Sequence, residues 1–532
     1  MFNKIKRAFG FGACDPKEGT TIVINSEKLE RRVALLENGV LEEYNIEREG
    51  EDNIVGGIFK GRVKNIEPGL KAMFVDIGYE KNAFLHFWDA IPAALDSSLE
   101  EIEKEGRPKR QIKKITSKDI PEIYPIGSEI MVQVTKGPIS SKGPRVTTNI
   151  SLAGRYIVLM PYTDQFGISR KIDDPRERQR LRQIVQKLNV PEGMGIIMRT
   201  VAQGQRFRHF VRDLAMLLEQ WHEVERKRDS RPAPVCVYKE PDLLERTARD
   251  FLTDNVDNII CDNLETTQKM QEIAGRISRR AKRHIQHFPT RMPIFEELGI
   301  QQQINEAFQR QVLLPCGGYL VIDETEALIA IDVNTGRNKG SKDLDKTILE
   351  TNLESAREIA RQLRLRNIGG LVVVDFIDMR HRKDQMAVYK MMKDCLKRDK
   401  AKTQVLQITP IGLMEMTRQR LNESLRDYVN DHCPYCHGRG RIKSVMTMSV
   451  EIQRQIHAMI LKHRETAGDL IVVVNTEVLS RFKNEDAALL MELERQCTGR
   501  LIFRSDPTIH REAFAILDAN DSKPLYQINM QG

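Results

Sequence analysis

Residues 317 to 378 limit the architecture of this chain more than any other stretch. GGYLVIDETEALIAIDVNTG has the apolar runs and turn residues of a hairpin, and LDKTILETNLESAREIARQLRLR has helical spacing and stops at Gly369-Gly370. LVVVDFIDM then reads as a strand buried on both faces. Strand, strand, helix, strand in that order predicts an α/β layered domain. Two of the strands carry an aspartate, Asp332 in ALIAIDVNTGR and Asp375 in LVVVDFIDM. A carboxylate on an apolar strand is costly unless it is paired, hydrogen-bonded or bound to a cation. Asn334 stands two residues after Asp332 and faces the same side of an extended strand. Two carboxylates and an amide oxygen are hard ligands suited to Mg²⁺, which takes few protein ligands and keeps water and phosphate on the rest. Such an ion polarises a phosphodiester and activates water. The plainer reading has the acids closing strand ends against arginines such as Arg337. Asp378, three residues past Asp375, is expected to support the site from behind its ligands.

A chain of 532 residues exceeds one hydrophobic core, so several domains are expected. With 40% hydrophobic and 30% charged residues it is globular and not disordered. The N-terminal stretch MFNKIKRAFGFGACDPKEG lacks a signal-peptide apolar run, and no run of about 18 apolar residues occurs, which leads to a cytoplasmic expectation. The net charge of +8 is weak evidence for a nucleic-acid partner on this length. Basic residues do cluster, from Lys104 to Lys114 and from Arg276 to Arg283, as solvated faces or loops.

Residues 20 to 46 read as strands, with Asn38-Gly39 as a hairpin turn. From Ile54 to Gly137, five short strands separated by Gly and Pro turns predict a small barrel, and the charged interval 99–123 reads as an insertion or long loop within it. Five-stranded barrels bind single-stranded nucleic acid by stacking bases on exposed aromatics beside basic side chains. Phe74 and Phe84 offer the aromatics, Lys136 and Lys142 the phosphate contacts, although lone phenylalanines are more often core residues. Phe207, Phe210, Val211, Leu214, Leu217, Leu218 and Trp221 recur at helical spacing and predict an amphipathic helix. Residues 240–310 read as largely helical and polar, and residues 444–532 as a small α/β appendage.

Eight cysteines include only one close pair, Cys433 and Cys436 in DHCPYCHGRG, so no disulfide framework is indicated. A redox pair should open a helix, whose N-terminus lowers the thiol pKa; HGRG is turn material, which favours zinc. Zinc usually takes four ligands. Cys395 or Cys497, His432 or His437, or a second subunit's own pair across a two-fold interface would complete the set.

EPGLKAMFVDIGYEKNAFLHF, TTNISLAGRYIVLMP, VPEGMGIIMRT, ALIAIDVNTGR, IARQLRLRNIGGLVVVDFIDM and CPYCHGRG follow one another in the order of the catalytic half of the ribonuclease E/G family, which the chain resembles over nearly its whole length. The resemblance implies a multidomain α/β and β fold. An RNase-H-like part at 1–52 and 245–307 would hold an inserted S1 (OB) barrel at 53–150 and a 5′-sensor at 151–244. A DNase-I-like α/β catalytic domain at 308–429, a zinc-link at 430–443 and a small domain at 444–532 would follow. No acidic triad stands out in the RNase-H-like part, which is taken as structural.

The same resemblance implies that Asp332 and Asp375 bind catalytic Mg²⁺ with help from Asn334, and that Phe74, Phe84 and Lys142 hold RNA. It implies that Gly154, Val158, Arg199 and Thr200 form a pocket for a 5′-monophosphate, and that Cys433 and Cys436 share Zn²⁺ between two chains of a homodimer, with a homotetramer as a further step. The implied activity is Mg²⁺-dependent cleavage of single-stranded RNA to 5′-phosphate and 3′-hydroxyl ends, serving 16S rRNA 5′-end maturation and mRNA decay. The interval 99–123 lengthens the barrel relative to the family pattern, and the sequence stops at Gly532 without a long degradosome scaffold. The competing readings are a non-enzymatic S1-type RNA-binding factor and an oxidoreductase built on CPYC.

Overall fold

The computed structural model describes residues 19–50, 54–91, 99–104, 119–138, 142–252, 256–277, 282–289, 291–325, 327–336, 344–420, 424–431, 433–462, 468–520 and 523–528. Arg337, His432, most of the basic runs and the N-terminal stretch lie outside them. The chain forms two units, Met1–Tyr428 and Val429–Gly532, and is a mixed α/β assembly containing one closed barrel.

The first sheet of the larger unit is assembled from distant pieces. Thr20–Ser26 and Glu30–Glu37 run antiparallel, and Thr20–Ser26 also pairs in parallel with Asn258–Cys261. The expected turn joins Glu30–Glu37 to Val40–Arg48, with Asn38 and Gly39 at φ 50° and 81°, values that favour Asn and Gly. The sheet's alternate residues feed two clusters, one around Ile22 and Ile24, the other around Val23 and Phe295.

Between its strands the chain makes the barrel. Ile58–Glu67, Ala72–Asp76, Ala83–His86, Arg145–Thr147 and Glu129–Lys136 pair in that order, and Ile58↔Gln133 closes the ring. Period-two alternation sends Met73, Val75, Ala83 and Leu85 inward. Phe74 and Phe84 occupy the opposite face, and neither belongs to the buried core.

The charged interval is only partly a barrel insertion. Leu99–Glu101 leaves the barrel and pairs with Phe166–Ser169 at the edge of the next sheet. Ile102 is buried there, and Lys104 Nζ donates to the Leu188 carbonyl at 2.6 Å. Arg178 and Arg182 both pair with Glu100. Charge density concealed this strand, because its partners are arginines on a neighbouring helix. Residues 105–118 lie outside the described residues.

That next sheet also contains Leu152–Ala153, Ile157–Pro161 and Met194–Met198, and it shares a core with helices Pro175–Lys187 and Phe207–Ser230. The second helix is amphipathic as expected, but its seam runs through Phe210, Leu214, Leu217, Trp221 and Val224. Phe207 and Val211, expected on that seam, are exposed, one position around the helix.

In the last sheet of this unit, Gln311–Leu313, Tyr319–Glu324, Leu328–Asn334, Gly370–Asp375, Leu413–Arg418 and Thr403–Val405 pair in that order. The expected hairpin, long helix Leu344–Leu365 and following strand are present. One expectation fails. In Gly370–Asp375, Val372 and Val374 are buried, while Leu371 is 42% exposed and Asp375 is exposed. Helices Leu344–Leu365 and Arg382–Leu396 supply one face of the core only, so the strand is covered on one side.

The smaller unit has a four-stranded sheet in the order Leu501–Ser505, Leu470–Val474, Phe514–Asp518, Pro524–Ile528. Leu470–Val474 is parallel to the first and antiparallel to the third, and helices Val445–Lys462, Thr476–Asn484 and Ala487–Arg495 complete the core. Among the described residues no helix is long and apolar enough to cross a membrane.

Candidate active site and nucleic-acid interface

Asp332 and Asp375 are register partners on adjacent parallel strands, a spacing of about 4.8 Å between strands. Their neighbours Ile331, Val333, Val372 and Val374 point into the helix-covered core, so alternation turns both carboxylates to the open face. Asn334 Nδ2 donates to Asp332 Oδ2 at 2.7 Å and fixes that carboxylate. Burial pushes the Asp375 carboxyl above its ordinary range, and the like charges of Asp332 and Asp378 push it further. Among the described residues neither Asp332 nor Asp375 has an ion-pair partner.

Two further residues lie at this corner. Asn352, fully buried on the long helix, donates to the Ile377 carbonyl at 2.8 Å and accepts from the Ile377 N–H at 3.2 Å, which pins the backbone leaving Asp375. Asp378 Oδ1 lies where a Cβ on Gly412 would meet it at 3.0 Å, and its charge adds to the rise of the Asp375 carboxyl. Asn352 was not readable, since a helical Asn carries no signal of its tertiary partner.

No group of three or more His, Cys, Asp and Glu side chains gathers for a metal among the described residues. Two adjacent carboxylates that repel each other, with an amide beside them, fit a cation that keeps most positions for water and phosphate, as Mg²⁺ does. They do not form an all-protein cage.

On the barrel, Phe74 and Phe84 are register partners whose rings meet edge to face at 5.9 Å. His86 continues the surface, 6.4 Å from the Phe84 ring. Arg145 is bridged to Phe84 and paired with Lys136, and the Phe84 N–H donates to the Pro144 carbonyl at 2.7 Å. A Cβ on Gly143 would come within 2.3 Å of the Asn82 carbonyl, so only glycine lets the segment bearing the exposed Lys142 approach this closely. Phe74, Phe84 and Lys136 thus lie on strands of one barrel, with Lys142 in the segment leading into Arg145–Thr147. His86 and Arg145 were missed, although the alternation in AFLH placed His86 on the face of Phe84.

At the third location, the Gly154 N–H donates to the Ile157 carbonyl at 2.8 Å in a tight turn. Asp213 accepts from the N–H groups of Arg155, Tyr156 and Ile157 at 3.1, 2.8 and 3.0 Å. Its carboxyl is raised by burial, which those N–H groups partly offset. A Cβ on Gly154 would sit 2.8 Å from Asp213 Oδ2, which explains glycine there. Arg199 Nη1 donates to the Gly154 carbonyl at 2.6 Å and Nη2 to Asp250 Oδ1 at 2.8 Å. Burial raises the Asp250 carboxyl, but Arg249, Arg199 and Lys400 together hold it below its ordinary range. Thr200 is exposed at the start of the turn Thr200–Ala202. Gly154, Arg199 and Thr200 are therefore brought together. Val158 lies one strand position on, paired with Ala153 and Ile197. Asp213 and Asp250 were missed because both act from helices distant in sequence. A cavity of about 660 Å³ lined by Ala153, Arg249 and Asp250 opens alongside.

In the smaller unit, the His437 N–H donates to the Cys433 carbonyl at 2.8 Å and the Arg439 N–H to the Cys436 carbonyl at 2.9 Å. His437 and Gly438 take φ 47° and 80° to curl the chain. The N–H groups of Cys436 and Tyr435 lower the Cys433 thiol pKa. Glu512 anchors the turn through Arg439 Nη2 at 2.8 Å and the Lys443 N–H at 2.6 Å. The cysteines do not open a helix, which starts at Val445, and the helix after strand Leu470–Val474 is capped by Asn475 without a cysteine. The redox geometry is therefore missing. Two thiolates on a glycine-permitted turn fit half a tetrahedral zinc site.

Residues 151–421 match the family model described as the ribonuclease E/G family, and residues 432–519 match one described as RNase E/G, thioredoxin-like domain. The sequence is 36% identical to Ribonuclease G of Escherichia coli (strain K12) over 93% of this chain and 99% of that protein. It is 35% identical to Ribonuclease G of Haemophilus influenzae (94% and 99%) and 37% identical to Ribonuclease E of E. coli (90% and 44%).

Proposed function

The chain belongs to the ribonuclease E/G family, and on that premise we propose that it hydrolyses single-stranded RNA with Mg²⁺, leaving 5′-phosphate and 3′-hydroxyl ends, and prefers substrates with a 5′-monophosphate. As a member it is an endoribonuclease, and it covers nearly the whole length of the Ribonuclease G relatives it matches. The register pairing of Asp332 with Asp375 carries the catalytic reading. A non-enzymatic RNA-binding factor would account for the barrel but would leave this repelling pair without a purpose.

Bound at Asp332 and Asp375, Mg²⁺ would supply the Lewis acid that polarises the scissile phosphate. The chain's own residues do the rest. Asn334 holds the Asp332 carboxylate in one orientation. Phe74 and Phe84 stack bases, and Lys136 and Lys142 meet phosphates, presenting the strand to the carboxylates. Arg199 and Thr200, above the Gly154 turn, receive a 5′-monophosphate through charge-assisted hydrogen bonds. To do so Arg199 redirects donors now held by Asp250 and the Gly154 carbonyl.

Cys433 and Cys436 would share Zn²⁺ with the same pair of a second copy, giving a homodimer that can pair into a homotetramer. Activity on 16S rRNA 5′ ends and on mRNA in the cytoplasm accords with a family of RNA-cutting enzymes. Cleavage of a labelled oligoribonucleotide only in the presence of Mg²⁺, with phosphate on the new 5′ end, is the expected result; Mg²⁺-independent cleavage would refute it. Zinc at about half an equivalent per chain, with dissociation to monomers on its removal, tests the assembly.

A further inference from the structure

The protein has two tryptophans, and they have opposite fates. Trp221 is 1% exposed in the core beside the Gly154 turn, whereas Trp88 is 64% exposed on the barrel. A single exposed apolar side chain needs no explanation. Trp88, however, follows the aromatic strand by two residues and stands on a turn held by several hydrogen bonds.

The strand Ala83–His86 presents Phe84 and then His86 on one face, and the next residue but one is Trp88, in the turn Phe87–Ala90. His86 Nδ1 accepts from the Trp88 N–H at 3.2 Å. On either side Phe87 and Ala90 are each 3% exposed and anchor the turn in the barrel core. The Phe87 N–H donates to the Lys71 carbonyl at 2.8 Å, carrying the hairpin ladder one step beyond Ala72↔His86. The Asp89 carbonyl accepts from the Thr148 N–H and the Thr147 hydroxyl, both at 2.9 Å. The Asp89 carboxylate holds Arg145 through two hydrogen bonds, at 2.8 and 3.1 Å, and Arg145 is the residue bridged to Phe84. The turn therefore ties Trp88 to the same strands that carry the aromatic and basic surface. A large flat side chain held outward on a fixed turn loses little freedom when a base stacks on it, and every base offers a π face.

We propose that Trp88 is an additional stacking platform that takes one base of single-stranded RNA beyond those held at Phe74 and Phe84. It rests on the reading of the barrel as the RNA-holding surface and lengthens the bound strand without adding sequence selectivity, because stacking is sequence-tolerant.

The test uses the full chain with Asp332→Asn, so that bound RNA stays uncut. Anisotropy of a fluorescein-labelled 5′-hydroxyl oligoribonucleotide measures binding, and tryptophan emission is followed separately with unlabelled RNA. The expected result is quenching of emission that saturates with the anisotropy curve. Trp88→Phe, which leaves only buried Trp221 emitting, should show no quenching. Trp88→Ala should weaken binding roughly tenfold, and Trp88→Phe by less, since a smaller ring still stacks. Saturated binding with unchanged emission, or full affinity in Trp88→Ala, would overturn the assignment and leave the barrel reading standing. No anisotropy change at all would remove the barrel reading and this proposal with it.

Discussion

The carboxylate corner and the Gly154 corner treat charge in opposite ways. Asp332 and Asp375 share a register position with no cation paired to either among the described residues, and burial together with the Asp332 charge raises the Asp375 carboxyl. Arg199 is satisfied on both sides, by the Gly154 carbonyl and by Asp250. On the proposed reading the first corner takes a cation. At the second, a phosphate would have to replace an internal counter-ion, so the gain on binding would be a difference between two charge-assisted contacts, which would favour discrimination between 5′ ends over tight binding. Arg418 and Asp399 give a third case, a buried pair at 2.6 and 3.0 Å with no ligand role assigned.

These three arrangements separate under mutation. Asp375→Asn should remove detectable RNA cleavage while leaving the urea unfolding midpoint nearly unchanged, within about 0.5 kcal/mol, as for an exposed position; a large loss of stability would mean that the carboxylate is structural. Asp399→Ala should do the reverse, costing about 3–5 kcal/mol by leaving Arg418 buried and unpaired, measured by the same denaturation.

Arg199→Ala should erase the advantage of a 5′-monophosphate over a 5′-hydroxyl end, about tenfold for a charge-assisted hydrogen bond, with 5′-hydroxyl cleavage untouched. Asp250→Asn should shift that preference a few-fold upward, because the phosphate then competes with a neutral amide; a fall would mean that Asp250 positions Arg199 instead of competing for it. The smallest effect expected is from Phe84→Ala, about a fivefold loss of RNA affinity that is equal for both 5′ ends.

The sequence revealed those parts of this design that are local. Asp332 and Asp375 were legible because a charge in an apolar strand stands out, Asn334 because it follows Asp332 by two residues, and the Asn38-Gly39 turn because few residues take positive φ. The openness of the catalytic sheet was not, since LVVV has the same composition whether one or both faces are covered. Nor was the strand Leu99–Glu101, whose charged residues pair with arginines about 80 positions away. Asn352, Asp213 and Asp250 act through hydrogen bonds to residues distant in sequence, which leave no periodic trace. The Cys433–Cys436 pair was legible as a turn because glycines flank it, but a half-site says nothing within one chain about what completes it.

The most direct test of the account is the cleavage of one oligoribonucleotide carrying either a 5′-monophosphate or a 5′-hydroxyl, with and without Mg²⁺, by the native chain and by Asp332→Asn. The account predicts cleavage only with Mg²⁺ and only by the native chain, faster on the monophosphate, while the variant binds both RNAs unchanged. Cleavage by Asp332→Asn at the native rate would contradict it.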